Sequence, residues 1–583
     1  MEGKAQPRTP GRAIALTLGL LATGIALWCQ RGVLHELALA APLPTLACVM
    51  AAFGAACTRV FPRLRSLWRR LLRMPAPAFD AALFTAALAA YIVIAHEVFY
   101  AVPRLDDGVA ALFQARIFAR LAVTLPLPPE PGFYEIFGVL GYRANQGHWC
   151  GMYPPGWPAL LTPGVWVGAP WIVNPVLGAL LPVATGRLGR ALFDARTGRT
   201  AALLTAACPF VYLLSGMHLS HIATALFLVL CLLCLVRLLR TGSLLRGAGA
   251  GAAWGAAFLC RPLTALTVGA CYGLVALCRP RTVLRRVPAL TVLLVFGALF
   301  AVIFMSFKYR IVGDPFTQGH EVGMGGRGQY GFVKLDHART HTPELGLHHT
   351  AARIRALNND LLGWPVAGLL LAAVPLLLAR RGRAYALALT PVPALLAVYA
   401  GFWYFECYFP ARYVTAGIPP LLVAVARGLV LLAALARRRP PVARLFGASV
   451  LASLLFAAVV AAPGRTAVFH RSFGDVEGAL EPTLERYGIT NNAVVFMDAL
   501  GRAAGEPDPL NSYYATGFMR NDLDLDNTVL FVRNARRQNV KILDLYPGRD
   551  LYLYRYLRHQ DAGAVFRAIP EDDGLRYELI PPP

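Results

Sequence analysis

Apolar runs long enough to cross a bilayer recur through the first 462 residues, and that recurrence decides the fold class. A spanning helix needs about 20 predominantly apolar residues. Such runs lie at 12–29, 36–57, 80–102, 156–192, 200–216, 221–239, 247–260, 263–278, 287–307, 361–379, 384–402, 414–436 and 445–462. The run 156–192 is long and broken by Pro170 and Pro175. The pair 247–260 and 263–278 is short, with Arg261-Pro262 at its turn, and reads alternatively as one buried hairpin. In lipid each spanning segment must satisfy its own backbone polar groups, which a helix does. The expected fold is therefore an α-helical polytopic membrane protein of about 13 spans. Composition agrees: 57% of residues are hydrophobic and 15% charged, against about 25% charged in soluble domains. So apolar a chain cannot be intrinsically disordered.

Charge gives the topology. The net charge is +24, but residues 463–583 hold 14 Lys+Arg against 17 Asp+Glu, so the whole excess belongs to the spanning part. Cytoplasmic loops collect Lys and Arg. Loop 58–79 carries Arg59, Arg63, Arg65, Arg69, Arg70 and Arg73. Further clusters lie at 187–199, 237–246, 279–286, 380–383 and 437–444. They fall in alternate loops, all on one side, and the N-terminal Lys4, Arg8 and Arg12 join them. The expectation is a multi-pass membrane protein with a cytoplasmic N-terminus and an extracytoplasmic C-terminal domain. The first span has signal-peptide character, but no small-residue cleavage site follows it, so it reads as an anchor. Because the Arg residues cluster between apolar spans, nucleic acid is not expected as a partner.

This map divides the chain into a spanning domain, 1–462, and a soluble α/β domain, 463–583. In the latter, 492–497 (NAVVFM) and 528–532 (TVLFV) read as buried strands, and 540–545 (VKILDL) as a third. The other outer pieces are 103–155, 308–360 and 403–413. The chain has 11 Cys, none beyond Cys407. Cys231 and Cys234 form a C-x-x-C inside a span with no second pair, which suits a buried structural role. Cys150 and Cys407 fall in outer loops, where only geometry decides pairing.

The outer pieces hold the residues with chemistry. Arg104-Leu105-Asp106-Asp107 opens the first loop. Val109, Leu112, Phe113, Ile117 and Phe118 follow at helical spacing, as in a helix lying on a membrane surface. Asp106 and Asp107 are natural helix caps; they also place carboxylates where one can deprotonate a hydroxyl acceptor. GHWCGMYPPGWP (147–158) supplies His148, Trp149, Tyr153 and Trp157. Those residues serve either as an aromatic belt or as a shelf for a lipid chain or sugar. His218 and His221 share one helix face by their spacing. They suit an ordinary interfacial role or contact with a phosphate, and a metal site would need further ligands.

Loop 308–360 contains Lys308, a Gly-rich stretch at 323–328 and His337, His341, His348 and His349. The Gly-rich stretch lacks the Lys-Ser/Thr of a P-loop, and the His spacing matches no standard zinc pattern. This loop reads as a cover over a substrate. YFECYFPARY (404–413) places Glu406, Arg412 and Tyr413 among aromatics. Arg412 suits either bidentate phosphate binding or an interfacial anchor.

Taken in order, RLDDGVAALFQARIFA (104–119), YPPGWPALL (153–161), WIVNPVLGAL (171–180), RPLTAL (261–266), GDPF (313–316) and FPARYVTAGIP (409–419) resemble the GT-C superfamily of membrane glycosyltransferases. The branch resembled is that of the protein O-mannosyltransferases and the lipid A aminoarabinose transferase. The likeness covers most of 80–430. It implies a hexosyl- or pentosyltransferase that takes a sugar from a polyprenyl-phosphate-linked donor by inverting displacement. The acceptor would be an envelope lipid, glycan or protein. An acid after an early span would be the general base, and the matching positions are Asp106 and Asp107. Here two extra spans precede that acid; since they come as a pair, its side of the membrane is unchanged. For the donor phosphate the choice falls on Arg412, then Arg261, His221 and Lys308. Arg104, His148, Tyr153, Trp157, His218, Glu406 and Tyr413 would line the substrate pocket. Oligosaccharyltransferase relatives hold a divalent metal at the acid; the mannosyltransferase branch does not require one, and none is assigned. Two other classes remain: a transporter or flippase for lipid-linked sugars, and a non-catalytic envelope assembly protein. The acids gather at span ends rather than at mid-membrane, which disfavours transport.

Overall fold

The computed structural model describes residues 66, 70–71, 73–141, 147–323, 330–333, 340–364, 368–378, 382–404, 409, 411–472, 480–500, 509–557, 562–571 and 574–582. The expected spans 12–29 and 36–57 lie outside them. Among the described residues, seven helical runs are long and apolar enough to cross a membrane: Ala76–Val98, Pro170–Leu192, His221–Thr241, Val287–Val312, Gly382–Ala400, Arg412–Ala436 and Pro440–His470. Ala195–Ala206 and Pro209–Gly216 form a helix pair bent by 50°, apolar enough together for a broken span or a re-entrant loop. Pro209 causes the bend, because its ring and missing N–H end the first helix and start the second. Leu244–Cys260, Pro262–Leu277 and Gly368–Leu378 are shorter apolar helices.

The bundle closes through small residues. Gly247, Gly251 and Gly255 recur every four positions on Leu244–Cys260. A Cβ at Gly247 would lie 2.2 Å from the Ala289 carbonyl, and one at Gly251 2.3 Å from that of Leu293. Without side chains there, Leu244–Cys260 and Val287–Val312 pack backbone to backbone, as helices in lipid do. The run expected at 156–192 is two helices, Gly156–Trp166 and Val173–Leu192, separated by a turn at Pro170–Ile172. Pro175 does not break the second helix, because it sits in the first turn, where an N–H has no intrahelical partner.

Beyond the bundle, the soluble unit is a five-stranded sheet of order β5-β4-β6-β7-β8. The strands are β4 (Ala493–Leu500), β5 (Val529–Arg533), β6 (Asp550–Leu557), β7 (Ala562–Glu571) and β8 (Gly574–Leu579). β4 is parallel to β5 and β6, while β7 and β8 complete the sheet antiparallel. Two of the expected strands are present, but 540–545 is helical, with Arg536–Val540 a 3-10 turn and Lys541–Leu545 an α-turn. Ile542, fully buried, docks that turn on the sheet. The last apolar helix runs on to His470, past the boundary expected at 462.

The loop 103–155 folds as a helix, Asp106–Ala119, and a small antiparallel sheet of order β1-β3-β2, formed by Leu125–Pro126, His148–Gly151 and Val139–Leu140. It shares one hydrophobic core with the soluble unit. Phe518 packs 5.2 Å from Phe113 and 5.9 Å from Trp149, centroid to centroid. Arg120 forms a two-pronged ion pair with Asp524, Lys541 reaches Glu130 at 3.0 Å, and the Tyr134 and Tyr546 hydroxyls meet at 2.8 Å. The expected membrane-surface helix is therefore a buried one. Gln114 is 1% exposed, accepting from the Gly151 N–H and donating to the Val123 carbonyl. Arg116 donates to the Asn521 carbonyl. The polar residues of this helix, Gln114, Arg116 and Arg120, are consumed by intramolecular bonds.

Candidate active site

The helix Asp106–Ala119 begins with its two acids, where the helix dipole favours negative charge. Leu105 before it is extended, and Gly108 lets the first turn approach the loop carrying His218, whose Cβ would lie 3.2 Å from a side chain at that position. Asp107 is the meeting point. One carboxylate oxygen accepts from the Tyr153 hydroxyl at 2.5 Å. The other lies 3.4 Å from Nη2 of Arg412. Burial and the adjacent Asp107 hold the Tyr153 phenol well above its ordinary range, so it stays a donor. Gly138, in the left-handed region, lies against the Tyr153 ring. A Cβ there would meet Ala110 at 2.7 Å and Tyr153 at 3.0 Å.

Arg412 is 3% exposed and starts the turn that feeds the helix Ile418–Ala436. Ala411 before it has φ +73°, a left-handed conformation that costs a non-glycine residue about 1 kcal/mol. Such strain persists only where the surroundings impose it. The Arg412 guanidinium lies 5.3 Å from the Tyr413 ring centre, and Arg261 lies 4.9 Å from the same ring. Arg261 also donates to Ser220 at 3.4 Å. The His221 ring is 5.9 Å from Tyr413. Tyr399 stacks parallel on Tyr413 at 4.9 Å, and its hydroxyl meets that of Thr264 at 2.7 Å. Two guanidiniums thus share one aromatic platform beside a carboxylate.

His218 follows on the same rim. Burial depresses its pKa to about 4, so it is a neutral imidazole. It lines a small cavity with Arg104, Phe99, Val102, Met217 and Leu219. The Trp157 indole donates to the His218 carbonyl at 2.9 Å. Asn174, 2% exposed, donates to the carbonyls of Leu214, Met217 and Leu219 and so fixes this loop.

Of the residues singled out in the sequence, Asp107, Tyr153, Arg261, Arg412, Tyr413 and His221 converge, and Asp106, Arg104, Trp157 and His218 border them. Lys308 is buried, packs on Phe304 and lies in the field of Asp314 and Glu321. His148 is exposed on its strand, opposite Pro126, and joins none of these contacts. Glu406, His337 and most of the Gly-rich stretch lie outside the described residues. His341 and His349 stack on each other at 5.8 Å, away from the acids' contacts. Tyr399, Thr264 and Asn174 give no functional signal of their own in the sequence, because each sits in an apolar run, where a single polar group has no local pattern. Among the described residues no three His, Cys, Asp or Glu side chains converge as metal ligands. The Asp107 environment does not suit a divalent cation, since Arg412 faces one oxygen and a hydroxyl donor the other.

The described residues thus combine a helix bundle, an α/β unit packed on the acid-bearing loop and a carboxylate–guanidinium centre. Residues 169–305 match the family model of the dolichyl-phosphate-mannose-protein mannosyltransferases. No curated protein matches the chain in sequence. Among solved structures, ArnT from Cupriavidus metallidurans bound to undecaprenyl phosphate aligns at 14% identity over 82% of this chain and 93% of that one, with a TM-score of 0.49. The archaeal oligosaccharyltransferase AglB from Archaeoglobus fulgidus, in complex with an inhibitory peptide and a dolichol-phosphate, aligns at 11% identity. It covers 82% of this chain and 69% of that one, with a TM-score of 0.43.

Proposed function

We propose that the protein transfers a sugar from a polyprenyl-phosphate-linked donor to a hydroxyl of an envelope acceptor, at the outer face of the bacterial inner membrane. The observation that carries this reading is the placement of Asp107 between Tyr153 and Arg412, with Arg261 on the same aromatic platform. Transfer needs two things at once. The acceptor oxygen must lose its proton as it attacks the anomeric carbon, and the departing phosphate must be stabilised as it takes the bonding pair. A carboxylate pair beside two guanidiniums, that of Arg412 buried, meets both needs within one site.

In this reading Asp106 removes the acceptor proton. Asp107 orients Arg412, since both of its oxygens are engaged. Arg412 and Arg261 bind the donor phosphate, with His221 beside them. Attack from the side opposite the phosphate inverts the anomeric centre. Arg104, Trp157, His218 and Tyr413 form the walls. The positive-inside pattern supports placing residues 1–462 in the membrane with this face outward and the α/β unit extracytoplasmic.

The test is release of polyprenyl phosphate by purified protein from a panel of lipid-linked sugars, with membrane extract as acceptor. Release coupled to sugar transfer is expected for at least one donor. Movement of an intact lipid-linked sugar across vesicles without release would make the protein a flippase instead.

A further inference from the structure

We infer that Arg353 is a positioning residue for donor phosphate binding: from outside the site, it locks the aromatic platform on which Arg412 and Arg261 rest. The inference rests on the reading of those two arginines given above.

Arg353 lies on the helix Pro343–Asp360 and is fully buried. Its Nη1 donates to the Tyr399 carbonyl at 2.8 Å and its Nη2 to the Tyr404 carbonyl at 3.3 Å. These carbonyls flank the end of the helix Pro391–Ala400, whose last carbonyl groups have no intrahelical partners. Neighbouring groups complete the cap. His341 bonds the Ala400 carbonyl at 2.9 Å, the Gly331 N–H donates to the Gly401 carbonyl at 2.9 Å, and Tyr330 donates to Val398. The fit is close: a Cβ at Gly346 would lie 2.5 Å from the Ala400 carbonyl. Tyr330, Gly331, His341 and Arg353 therefore cap this helix end, and the buried Arg353 cation suits the negative pole there.

The capped end carries the platform. Tyr399 stacks on Tyr413 with the two rings 9° from parallel, and Phe402 meets Tyr413 edge-on at 5.4 Å. Tyr404 lies 5.9 Å from the Arg412 guanidinium. Arg353 thus holds the backbone of Tyr399, whose ring stacks on Tyr413 beneath Arg412, and of Tyr404, whose ring faces Arg412 itself. A buried Arg could instead have been replaced by apolar packing, but only a planar fork joins two carbonyls five residues apart.

The experiment compares wild type with Arg353→Lys, Arg353→Met and Arg412→Ala in detergent. It measures undecaprenyl phosphate affinity, donor KM and kcat, and hydrogen exchange over 399–417. Arg353→Met is expected to raise Kd and KM about tenfold, the factor matching one lost buried hydrogen bond. kcat at saturating donor should stay within about twofold, because the donor's binding energy is lost without change at the acid. Exchange over 411–417 should accelerate. Arg353→Lys, which keeps the charge and one bond, should fall between and carries the test if the Met variant does not fold. Unchanged Kd and unchanged exchange in folded protein would overturn the inference while leaving the function intact. Failure of Arg412→Ala to weaken binding would instead refute the phosphate-site reading, and the exchange over 411–417 would still judge the lock.

Discussion

Replacing Phe518 by Ala tests whether the soluble unit holds the acid-bearing helix in place. Phe518 is 2% exposed and its ring neighbours are Phe113, Trp149 and Tyr514, at 5.2, 5.9 and 6.0 Å. Truncating a buried Phe costs about 3–5 kcal/mol. Two of the three ring neighbours belong to the 103–155 loop, so about 2 kcal/mol of the loss falls on docking and the rest on the soluble fold. That raises the undocked population about 30-fold. Hydrogen exchange of the full-length protein in detergent reads both terms. Exchange in the second half of Asp106–Ala119 should accelerate by that factor, with a smaller change in β4. Faster exchange in β4 with the helix unchanged would refute the reasoning, because the helix would then be ordered by the bundle alone. Activity should fall with docking, since displacement of a reacting group by about 1 Å is enough to cost 100-fold.

Tyr153→Phe should lower kcat/KM about 10- to 150-fold, the worth of a hydrogen bond to a charged group, without changing the elution volume or Tm by more than a few degrees; unchanged kinetics would remove Tyr153 from the site. His218 is held neutral by burial, with a pKa of about 4 in place of 6.5. The unfolded chain then binds the extra proton between those values, so this group lowers stability by up to about 3 kcal/mol as pH falls from 6.5 to 4. His218→Gln should flatten the Tm profile over that window, and an unaltered slope would assign the acid sensitivity elsewhere. Gly251→Leu places a side chain against the Leu293 carbonyl, and thermal unfolding should show a loss of at least about 1–3 kcal/mol from overpacking; wild-type stability would mean the two helices separate freely.

The membrane bundle was legible in the sequence because spanning helices carry their own signal: length, apolarity and the sidedness of Arg. The finer breaks were less so. The break falls at 167–169, between Trp166 and Pro170, and both Pro170 and Pro175 sit where a helix starts rather than inside one. The stretch 540–545 has strand composition yet forms a helical turn, since Ile542 alone needs burial and the sheet is supplied by β6, β7 and β8. The site was partly legible. Asp106, Asp107, Arg261 and Arg412 stood out as charges at the edges of apolar runs. Their convergence was not, because Asp107 and Arg412 are 305 residues apart. The helix with apolar spacing read as a membrane-surface helix because its covering surface, Phe518 and its neighbours, lies in another unit of the chain. His148 illustrates the converse: it has suitable chemistry yet lies exposed on its strand, paired with Pro126.

The most direct measurement compares Asp106→Asn and Asp107→Asn with wild type for polyprenyl phosphate release and undecaprenyl phosphate affinity. The account predicts that Asp106→Asn abolishes turnover with affinity within about twofold of wild type, since a base acts only in the transition state. Asp107→Asn should lower both turnover and affinity, because Arg412 loses its anchor. Full turnover in both folded variants would contradict the account and remove the carboxylate pair from the chemistry.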